Sequence, residues 1–501
     1  MNPLQLIRKA PWRKIAAGAG FLLVLLVTLV VLAGAWFSYQ GRREWEATKT
    51  ALLKRGELLS YEGLIPLSVP PEENFFADPM WEPNVNGQID LLALQITPDE
   101  AAQLKARFPG VADLVKEGNR WEVVQNVGRR AKDRNMTQAE ADMVLAVLRP
   151  VQGDFDTLRR LAVRPEARFP VDYSKGISME LPHVHALFKA GLMLHRRSQA
   201  EAVLGQTDLS VDDILLILRL AHTLDDEPVL ISFLVAISLD SLALDAIEKL
   251  VPTWSATQVQ RVERALGQSD VLKQMTKAIR GGRASGNQLM DQLKQASLGE
   301  FVRTLQLINS EVALEYPPPN STACFFLAYR FAFLEGDRAR LNQMFQRLLD
   351  CLEKEPMVLR PDYEGLYSDL ERELRGWNRS RYIITYIETS ALKYILPRAA
   401  SVETRIRQAR IACVIQRYAL TEKALPSSLN QVLPHYLERI PVDIVNGEPM
   451  RYRSNGKDYV LWSIGWNEKD DGGEAYSGEQ SPEKKLDWVW KGRLPDVVAT
   501  P

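Results

Sequence analysis

Apolar side chains follow one another almost without interruption between residues 15 and 37, where the chain carries no charge. A helix of this length spans roughly 34 Å, enough to cross a hydrocarbon core of about 30 Å. Trp12 precedes the stretch, and Trp36 and Tyr39 stand at its other end, as aromatic residues do at the two faces of a bilayer. The pattern predicts a single transmembrane helix at residues 15–37.

The surroundings of this helix favour one orientation. A short basic tail usually stays in the cytoplasm, and a long downstream domain crosses the membrane largely regardless of its charge. We therefore expect residues 1–14 to form a cytoplasmic tail and everything after Tyr39 to lie outside. The basic residues of the tail are Arg8, Lys9, Arg13 and Lys14.

Two other interpretations of the same stretch compete with an uncleaved anchor. Ala33-Gly34-Ala35 fits the small-x-small pattern of a signal-peptide cleavage site, although the apolar region of a signal peptide is shorter, at about 7–15 residues. Gly20-Phe21 resembles the cleavage junction of a prepilin-type leader, but Leu25 stands where that family has an acidic residue. We expect the helix to be retained.

Residues 38–96 are predicted to form a stalk and a proline-rich strap. The stalk is the charged helical pattern from Glu44 to Leu59. The prolines of residues 65–83 disfavour a helix. That segment is nevertheless too apolar for a free linker, so we expect it to pack over the next domain through Phe75, Phe76, Met80 and Trp81.

Helical periodicity dominates residues 97–397. Thr97-Pro98 is typical of a helix start, and Ser210 and Ser255 are similar candidates. Pro228 is expected to open a helix through Ile247 whose apolar stretch ends at Asp240. That stretch is too short for a second span, so we expect the helix to be buried in the core. Because the helices recur without a fixed period, we predict an irregular α-helical hairpin array, which serves either as a partner-binding surface or as a spacer.

Composition and charge exclude some functions. The chain is 46% hydrophobic and 25% charged with a net charge of −1, which is typical of a globular protein and argues against nucleic-acid binding. Cys324, Cys351 and Cys413 have no metal-ligand spacing. Cys324 and Cys351 could pair in an oxidising compartment, but three buried free thiols are the preferred interpretation.

Few residues suggest catalysis. His183 and His185 would point about 200° apart on a helix, so a shared metal site is disfavoured and a helix cap or core histidine is favoured. The sequence carries no GxSxG, HExxH, P-loop or GxGxxG motif. A hydrolase would need convergent carboxylates, for instance around Asp172, Glu180 and Asp225.

The C-terminal pattern predicts a small α+β domain at residues 398–491, followed by a disordered tail at 492–501. Val402–Leu420 has a wide apolar helical face, and Leu425-Pro426 starts a short second helix that ends at Pro434. Asn455-Gly456 is a strong hairpin signal. The predicted strands are 450–453, 458–464 and 486–490.

Several short elements of this region occur in a recognisable order. They are Pro426, Leu437, Ile440-Pro441-Val442-Asp443, Gly447-Glu448-Pro449-Met450-Arg451-Tyr452, Tyr459-Val460-Leu461-Trp462-Ser463-Ile464-Gly465, Asp470-Asp471-Gly472-Gly473 and Leu486-Asp487-Trp488-Val489-Trp490. In this respect the region resembles the globular domain of the major pseudopilins of type II secretion. In that family the domain sits directly on its membrane helix, whereas here the two are far apart in the chain.

The pseudopilin resemblance implies a Ca²⁺ site in the last loop. The candidate ligands are Asn467, Asp470, Asp471 and Asp487, and hard oxygen ligands on a flexible loop suit this ion. The sequence departs from the family at Leu425, which replaces a tyrosine, and at Asn467-Glu468, which replaces Asp-Gly. A solvated acidic loop is the alternative.

The remainder resembles uncharacterised single-pass envelope proteins of planctomycete- and verrucomicrobium-type bacteria. This impression rests on residues 71–75, 169–173 and 226–232. It implies a bacterial envelope protein and no activity. Together with the orientation of the N-terminal helix, we expect a single-pass inner-membrane protein whose bulk is periplasmic.

Together these patterns predict a mainly α protein with a transmembrane helix, a helical array and a C-terminal α+β domain with an antiparallel sheet. We expect a non-enzymatic, membrane-anchored structural or interaction protein with an envelope protein partner whose identity the sequence withholds. An envelope hydrolase, or a component associated with type II secretion or pili, is the alternative.

Overall fold

The computed structural model describes residues 12–92, 95–115, 118–131, 134–309, 319–353, 360–474 and 487–495. The protein is mainly α-helical, with a small antiparallel sheet near the C-terminus, which confirms the predicted fold class. The helices are α1 (Trp12–Lys54), α2 (Pro98–Arg107), α3 (Arg120–Arg130), α4 (Gln138–Leu148), α5 (Gln152–Ala162), α6 (Pro182–Val203), α7 (Thr207–His222), α8 (Leu230–Leu250), α9 (Ala256–Leu266), α10 (Val271–Gln295), α11 (Leu298–Asn309), α12 (Pro319–Ala328), α13 (Leu334–Leu352), α14 (Arg360–Glu373), α15 (Trp377–Arg381), α16 (Ile383–Leu392) and α17 (Ile395–Glu422).

The described residues belong to two compact units. One comprises Met1–Leu59, Arg283–Arg347 and Tyr367–Ala391, and is called the anchor unit below. The other comprises Ser60–Gly282, Leu348–Leu366 and Leu392–Pro501, and is called the body unit. The predicted division into stalk, array and terminal domain follows different boundaries and stays a prediction.

Helix α1 begins the anchor unit and continues well beyond its apolar part. The apolar side chains from Phe21 to Leu32 are 43–69% exposed, whereas Trp45 and Leu52 near its other end are buried. The predicted stalk is therefore helical as far as Lys54 and packs by its inner face. Residues 1–11 of the predicted cytoplasmic tail lie outside the described residues.

The core of the anchor unit is organised around a buried carboxylate. Asp337 in α13 accepts hydrogen bonds from the Tyr329 hydroxyl (2.7 Å), the Thr385 hydroxyl (2.6 Å) and the Ile384 backbone N–H (3.0 Å). Burial raises the pKa of Asp337, while these donors oppose that shift. The carboxylate thereby ties α13 to the start of α16, because a buried acceptor is costly unless it is hydrogen-bonded.

The helical array forms most of the body unit. Helices α6, α7 and α8 pack side by side, and α9 packs on α7. Thr97 and Ser255 cap α2 and α9 as predicted. The prediction that Ser210 caps a helix is wrong: α7 begins at Thr207, and Ser210 is fully buried as its fourth residue.

Helix α8 confirms the predicted core helix. The expectation that its apolar stretch is too short for a span is wrong, since α8 is long and apolar enough to cross a membrane. More than half of its most apolar window is nevertheless buried inside the protein, as expected for a core helix. Phe233, Ile237 and Leu244 point into the core. Its apolar character therefore serves packing between helices.

The strap preceding the array packs as predicted. Phe75, Phe76 and Trp81 are buried, and their rings contact one another at centroid distances of 4.9–5.2 Å. Asn74 holds the strap in place, since its side-chain amide donates to the Arg168 carbonyl (2.9 Å) and its side-chain oxygen accepts from the Arg168 N–H (2.8 Å). A short 3-10 turn at Pro79–Trp81 interrupts the extended chain.

The sheet has the order β1-β2-β3, with both pairs antiparallel. Its strands are β1 (Arg451–Ser454), β2 (Asp458–Ser463) and β3 (Trp488–Arg493). The predicted hairpin at Asn455-Gly456 is confirmed. Strand β3 continues to Arg493, into the segment predicted as a tail, and in place of the predicted second helix there is only a 3-10 turn at Leu429–Val432.

Helix α17 joins this sheet to the array. The Gln408 amide donates to the Trp488 carbonyl (2.7 Å), and the Gln416 amide donates to the Trp254 carbonyl (3.0 Å). Arg417 forms an ion pair with Glu263 of α9 (2.7 Å). The sheet therefore packs on α17, and α17 packs on α8 and α9.

The three cysteines are free thiols, as preferred from the sequence. Only Cys413 is buried, while Cys324 is exposed and Cys351 is half-buried. The expectation that all three are buried is therefore wrong for the first two.

Candidate functional site

A cleft of about 650 Å³ lies in the body unit where residues 87–92 face the start of α6. Its walls combine the aliphatic Ile89 and Leu91 with Gln88 and Gln95. The charged and ionisable groups of the lining are Asp90, Glu180, His185 and Lys189. This volume is within the range of ligand sites, which is about 300–1,000 Å³.

Helix α6 supplies the ionisable wall because of where it begins. Pro182 occupies the first helical position, where a proline is favoured. His185 and Lys189 are four residues apart and share one helix face. Partial burial, followed by the charge of Lys189, lowers the pKa of His185, which favours the neutral form of the imidazole.

The opposite wall is fixed by a turn in the chain. The Leu92 N–H donates to the Asp154 carboxylate (2.9 Å). Leu92 has a φ of 61°, an unusual conformation for a residue with a branched side chain. Asn84 closes the preceding turn by accepting from the backbone N–H groups of Asn86 and Gln88.

The carboxylates proposed for a hydrolase do not converge in this cleft. Glu180 alone of the three lines it, and it forms an ion pair with Lys175 (3.3 Å). Hydrogen bonds from Ser174 lower the pKa of Asp172. Burial, and then Asp226, raises the pKa of Asp225 to about 7. The carboxylates of Asp90 and Glu180 and the imidazole of His185 in the lining suit hydrogen bonding to a ligand.

His183 lies on the inner side of α6 and is fully buried. Its Nε2 is 2.8 Å from a Glu227 oxygen, its ring stacks on Phe169 at 4.0 Å, and the Ser232 hydroxyl donates to the same carboxylate (2.5 Å). The core-histidine interpretation is confirmed. Because the serine bonds to the carboxylate and not to the imidazole, this trio lacks the contact between nucleophile and base that catalysis requires.

A buried ionic network connects α5, α6 and α7. Arg197 contacts Glu201 (2.9 Å) and Asp213 (3.2 Å), and Arg159 also pairs with Asp213. Burial, and then the charge of Asp213, raises the pKa of Glu201 to about 7. The i, i+4 spacing of Arg197 and Glu201 is a sequence signal for the pair, but the sequence does not show that Asp213 joins them.

The structure brings three of the four predicted calcium ligands together. The Asn467 amide donates to the Asp471 carboxylate (2.8 Å), and buried Asp487 accepts from the backbone N–H groups of Asp471 (3.2 Å) and Gly473 (2.7 Å). Asp470 instead accepts from the Arg451 guanidinium (3.0 Å) and the Trp462 indole (2.9 Å).

The clustered oxygen atoms of Asn467, Asp471 and Asp487 are of the type that a hard cation prefers. Burial raises the pKa of Asp487, and the nearby charges of Asp471 and Asp470 add to the rise. A cation held by Asn467, Asp471 and Asp487 would offset that repulsion. Within the described ranges, no group of three or more His, Cys, Asp and Glu side chains is placed to hold a metal ion. The Ca²⁺ site stays a prediction.

Comparisons with family models, with curated proteins and with solved structures find no match to this chain.

The cleft has little signature in the sequence. His185 and Lys189 carry the i, i+4 spacing of a shared face, which is the one local signal. The other wall comes from residues 87–92, about a hundred positions earlier. Nothing in the local pattern pairs these two segments.

Proposed function

We propose that this chain is a single-pass protein of the bacterial inner membrane that binds an envelope protein partner and has no catalytic role. Helix α1 anchors it, and the body unit lies in the periplasm. The cleft beside α6 takes a segment of the partner. The C-terminal sheet is a pseudopilin-like module that supports the array.

One observation carries the anchoring part of this proposal. Helix α1 exposes a continuous apolar surface over its first half, and the most apolar window has no buried residue. Leaving that many leucine and valine side chains in water is unfavourable, at about 25 cal/mol per Å² of apolar surface. A lipid bilayer is the environment that such a surface fits.

The cleft supports the interaction part. It is open, mixed in polarity, and lined by donors and acceptors of both charges, including Asp90 and Lys189. Such a lining suits the backbone and polar side chains of an extended peptide. The packing of α17 on α8 and α9 supports a structural role for the C-terminal module.

Two alternatives make different demands on the chain. A hydrolase would need two cooperating catalytic groups; Asp172 and Asp225 do not line the cleft, and the Glu180 carboxylate that does is paired with Lys175. A component of a secretion system or pilus would need α1 to pack in a fibre of like helices. The partner-binding proposal requires neither.

A photo-crosslinking experiment tests the proposed function. A photoreactive amino acid at Gln88, in the cleft, is expected to give a defined protein adduct in intact membranes. Lys189→Glu should reduce the adduct, because it reverses the charge of the facing wall. A crosslinker at Val163, which is 82% exposed and is not part of the cleft lining, is the matched control. Equal adducts from both positions, or no effect of Lys189→Glu, would contradict the proposal.

A further inference from the structure

One face of α12 and the turn that follows it is apolar and exposed. Phe331 is 65% exposed and Leu327 is 51% exposed. Cys324 and Ala328 are also exposed. Cys324, Leu327 and Ala328 share one face of α12 by their i, i+3, i+4 spacing. Phe331 follows them in the π-helical turn Tyr329–Phe333. Exposure of such an apolar stripe to water is unfavourable, and such patches mark sites that contact a partner or a membrane.

The stripe lies beside the end of the apolar part of α1, in the same anchor unit. A Cβ built on Gly34 would lie 4.0 Å from the Cβ of Ala332. The rings of Phe37 and Phe333 contact each other at 5.6 Å. Ala332 is therefore level with the last turn of the predicted transmembrane segment.

The direction of the two helices places the stripe on the membrane side of that contact. Gly336 lies against Gly41, where a Cβ on Gly41 would be 2.7 Å from the Gly336 nitrogen. The two segments therefore run parallel, since Gly34 lies beside Ala332 and Gly41 lies beside Gly336. Residues that precede Ala332 extend back along α1, towards its apolar half.

The residues around the stripe are those that favour a lipid–water interface. Trp377 is 65% exposed, and its ring packs edge-on against Phe333 at 5.8 Å. The Arg330 guanidinium lies over the Phe331 ring (5.7 Å), and that of Arg381 lies over Phe37 (4.9 Å). Tryptophan and arginine with an apolar neighbour are typical of the headgroup level.

We propose that the stripe Cys324, Leu327, Ala328 and Phe331, together with Trp377, inserts into the outer leaflet of the bilayer as a second membrane contact beside α1. This inference rests on the proposed role of α1 as a transmembrane anchor. A lipid surface is favoured over a protein partner because the exposed apolar half of α1 begins at the same level. The same lipids that cover α1 would cover the stripe.

Lipid-dependent fluorescence quenching of the full chain in nanodiscs tests this contact. With Cys324 and Cys351 replaced by serine and Cys413 buried, a bimane label is placed at Phe331→Cys, and nitroxide-labelled phospholipids serve as the quencher. Strong quenching is expected at position 331. The control is a label at Leu53→Cys, on α1 in the same anchor unit but beyond the predicted span, where the side chain is 54% exposed; it should remain unquenched.

A third label, at Leu26→Cys in the middle of the span, separates this inference from the proposed function. Quenching at position 26 with none at position 331 would overturn the second contact and leave the anchor intact. Absence of quenching at both positions would overturn the anchor as well. A label at 331 that emits as a buried fluorophore but is not quenched would show a protein partner or a second copy on the stripe, which also overturns the proposal.

Discussion

The surroundings of Asp225 make the stability of the fold depend on pH. The residues that act on it are Asp226, Lys277, Arg219 and Asp270. Burial comes first among the causes that raise its pKa to about 7, from about 3.9 in an unfolded chain. The folded state therefore holds this proton more tightly, and the contribution of Asp225 to stability falls as the pH rises from about 4 to about 7.

Replacing Asp225 by asparagine should remove the loss of stability that Asp225 causes as the pH rises from about 4 to about 7. We expect Asp225→Asn to raise the free energy of unfolding at pH 8 by on the order of 1–3 kcal/mol, and to have little effect at pH 4. Denaturant unfolding at several pH values measures the difference. Asp226→Asn is the contrasting variant, because it loses the ion pairs of Asp226 with Lys277 and Arg168 and should be less stable at pH 7. An unchanged pH slope in Asp225→Asn would contradict this reasoning.

The acidic loop makes a second prediction at the residue scale. Ca²⁺ at about 100 times its dissociation constant should stabilise the full chain by about 2.7 kcal/mol. Asp471→Asn should abolish this effect. Asp470→Asn should retain it, because Asp470 is engaged with Arg451 and Trp462.

Thermal unfolding with and without Ca²⁺ provides the measurement for this loop. No shift in the wild-type chain would refute the site, and an equal shift in Asp471→Asn would refute the assignment of ligands.

At the scale of single elements, the sequence predicted helix starts and the hairpin turn, because neighbouring residues determine them. Thr97 and Ser255 mark helix starts because their side chains accept from backbone N–H groups three residues later. Asn455-Gly456 marks the hairpin because its turn requires φ > 0 at the glycine. Ser210 fits the same rule but is buried inside α7, since the helix began a turn earlier at Thr207.

Pairings between distant elements could not be predicted in this way. The apolar face of α17 was evident in the sequence. The helices that cover this face, α8 and α9, lie more than 100 residues earlier in the chain, and no local pattern identifies them. The cleft beside α6 likewise joins segments about 90 residues apart in the sequence. Periodicity shows which face is buried, but it does not show which partner covers that face.

The crossing of α1 and α13 gives a prediction at this scale. A Cβ on Gly41 would be 2.7 Å from the Gly336 nitrogen, whereas one on Gly20 would have open space around it. Gly41→Ala should therefore destabilise the anchor unit by about 1–3 kcal/mol, as overpacking does. Gly20→Ala should be neutral. The proteolysis rates of the two variants in membranes measure this difference in stability. Equal rates would contradict the prediction, because they would show that the contact between α1 and α13 accommodates a Cβ at position 41 without loss of stability.

At the scale of the whole molecule, the fold class followed from the sequence and the function did not. Apolar length predicts a span, and helical periodicity predicts an array, because both depend on burial. The identity of a partner depends on surface detail such as the arrangement of Asp90, Glu180, His185 and Lys189. That arrangement exists only in the folded chain.

Membrane retention of the full chain tests the central claim, that α1 anchors the folded protein. After extraction at alkaline pH, which releases peripheral proteins, the chain should remain in the membrane pellet and keep an epitope placed at Met1. A variant with arginine at Val24 and Val27 should be released, because each charge at the centre of a span costs about 2.5–3.5 kcal/mol. Release of the unmodified chain into the soluble fraction, or loss of the epitope by cleavage, would contradict the claim.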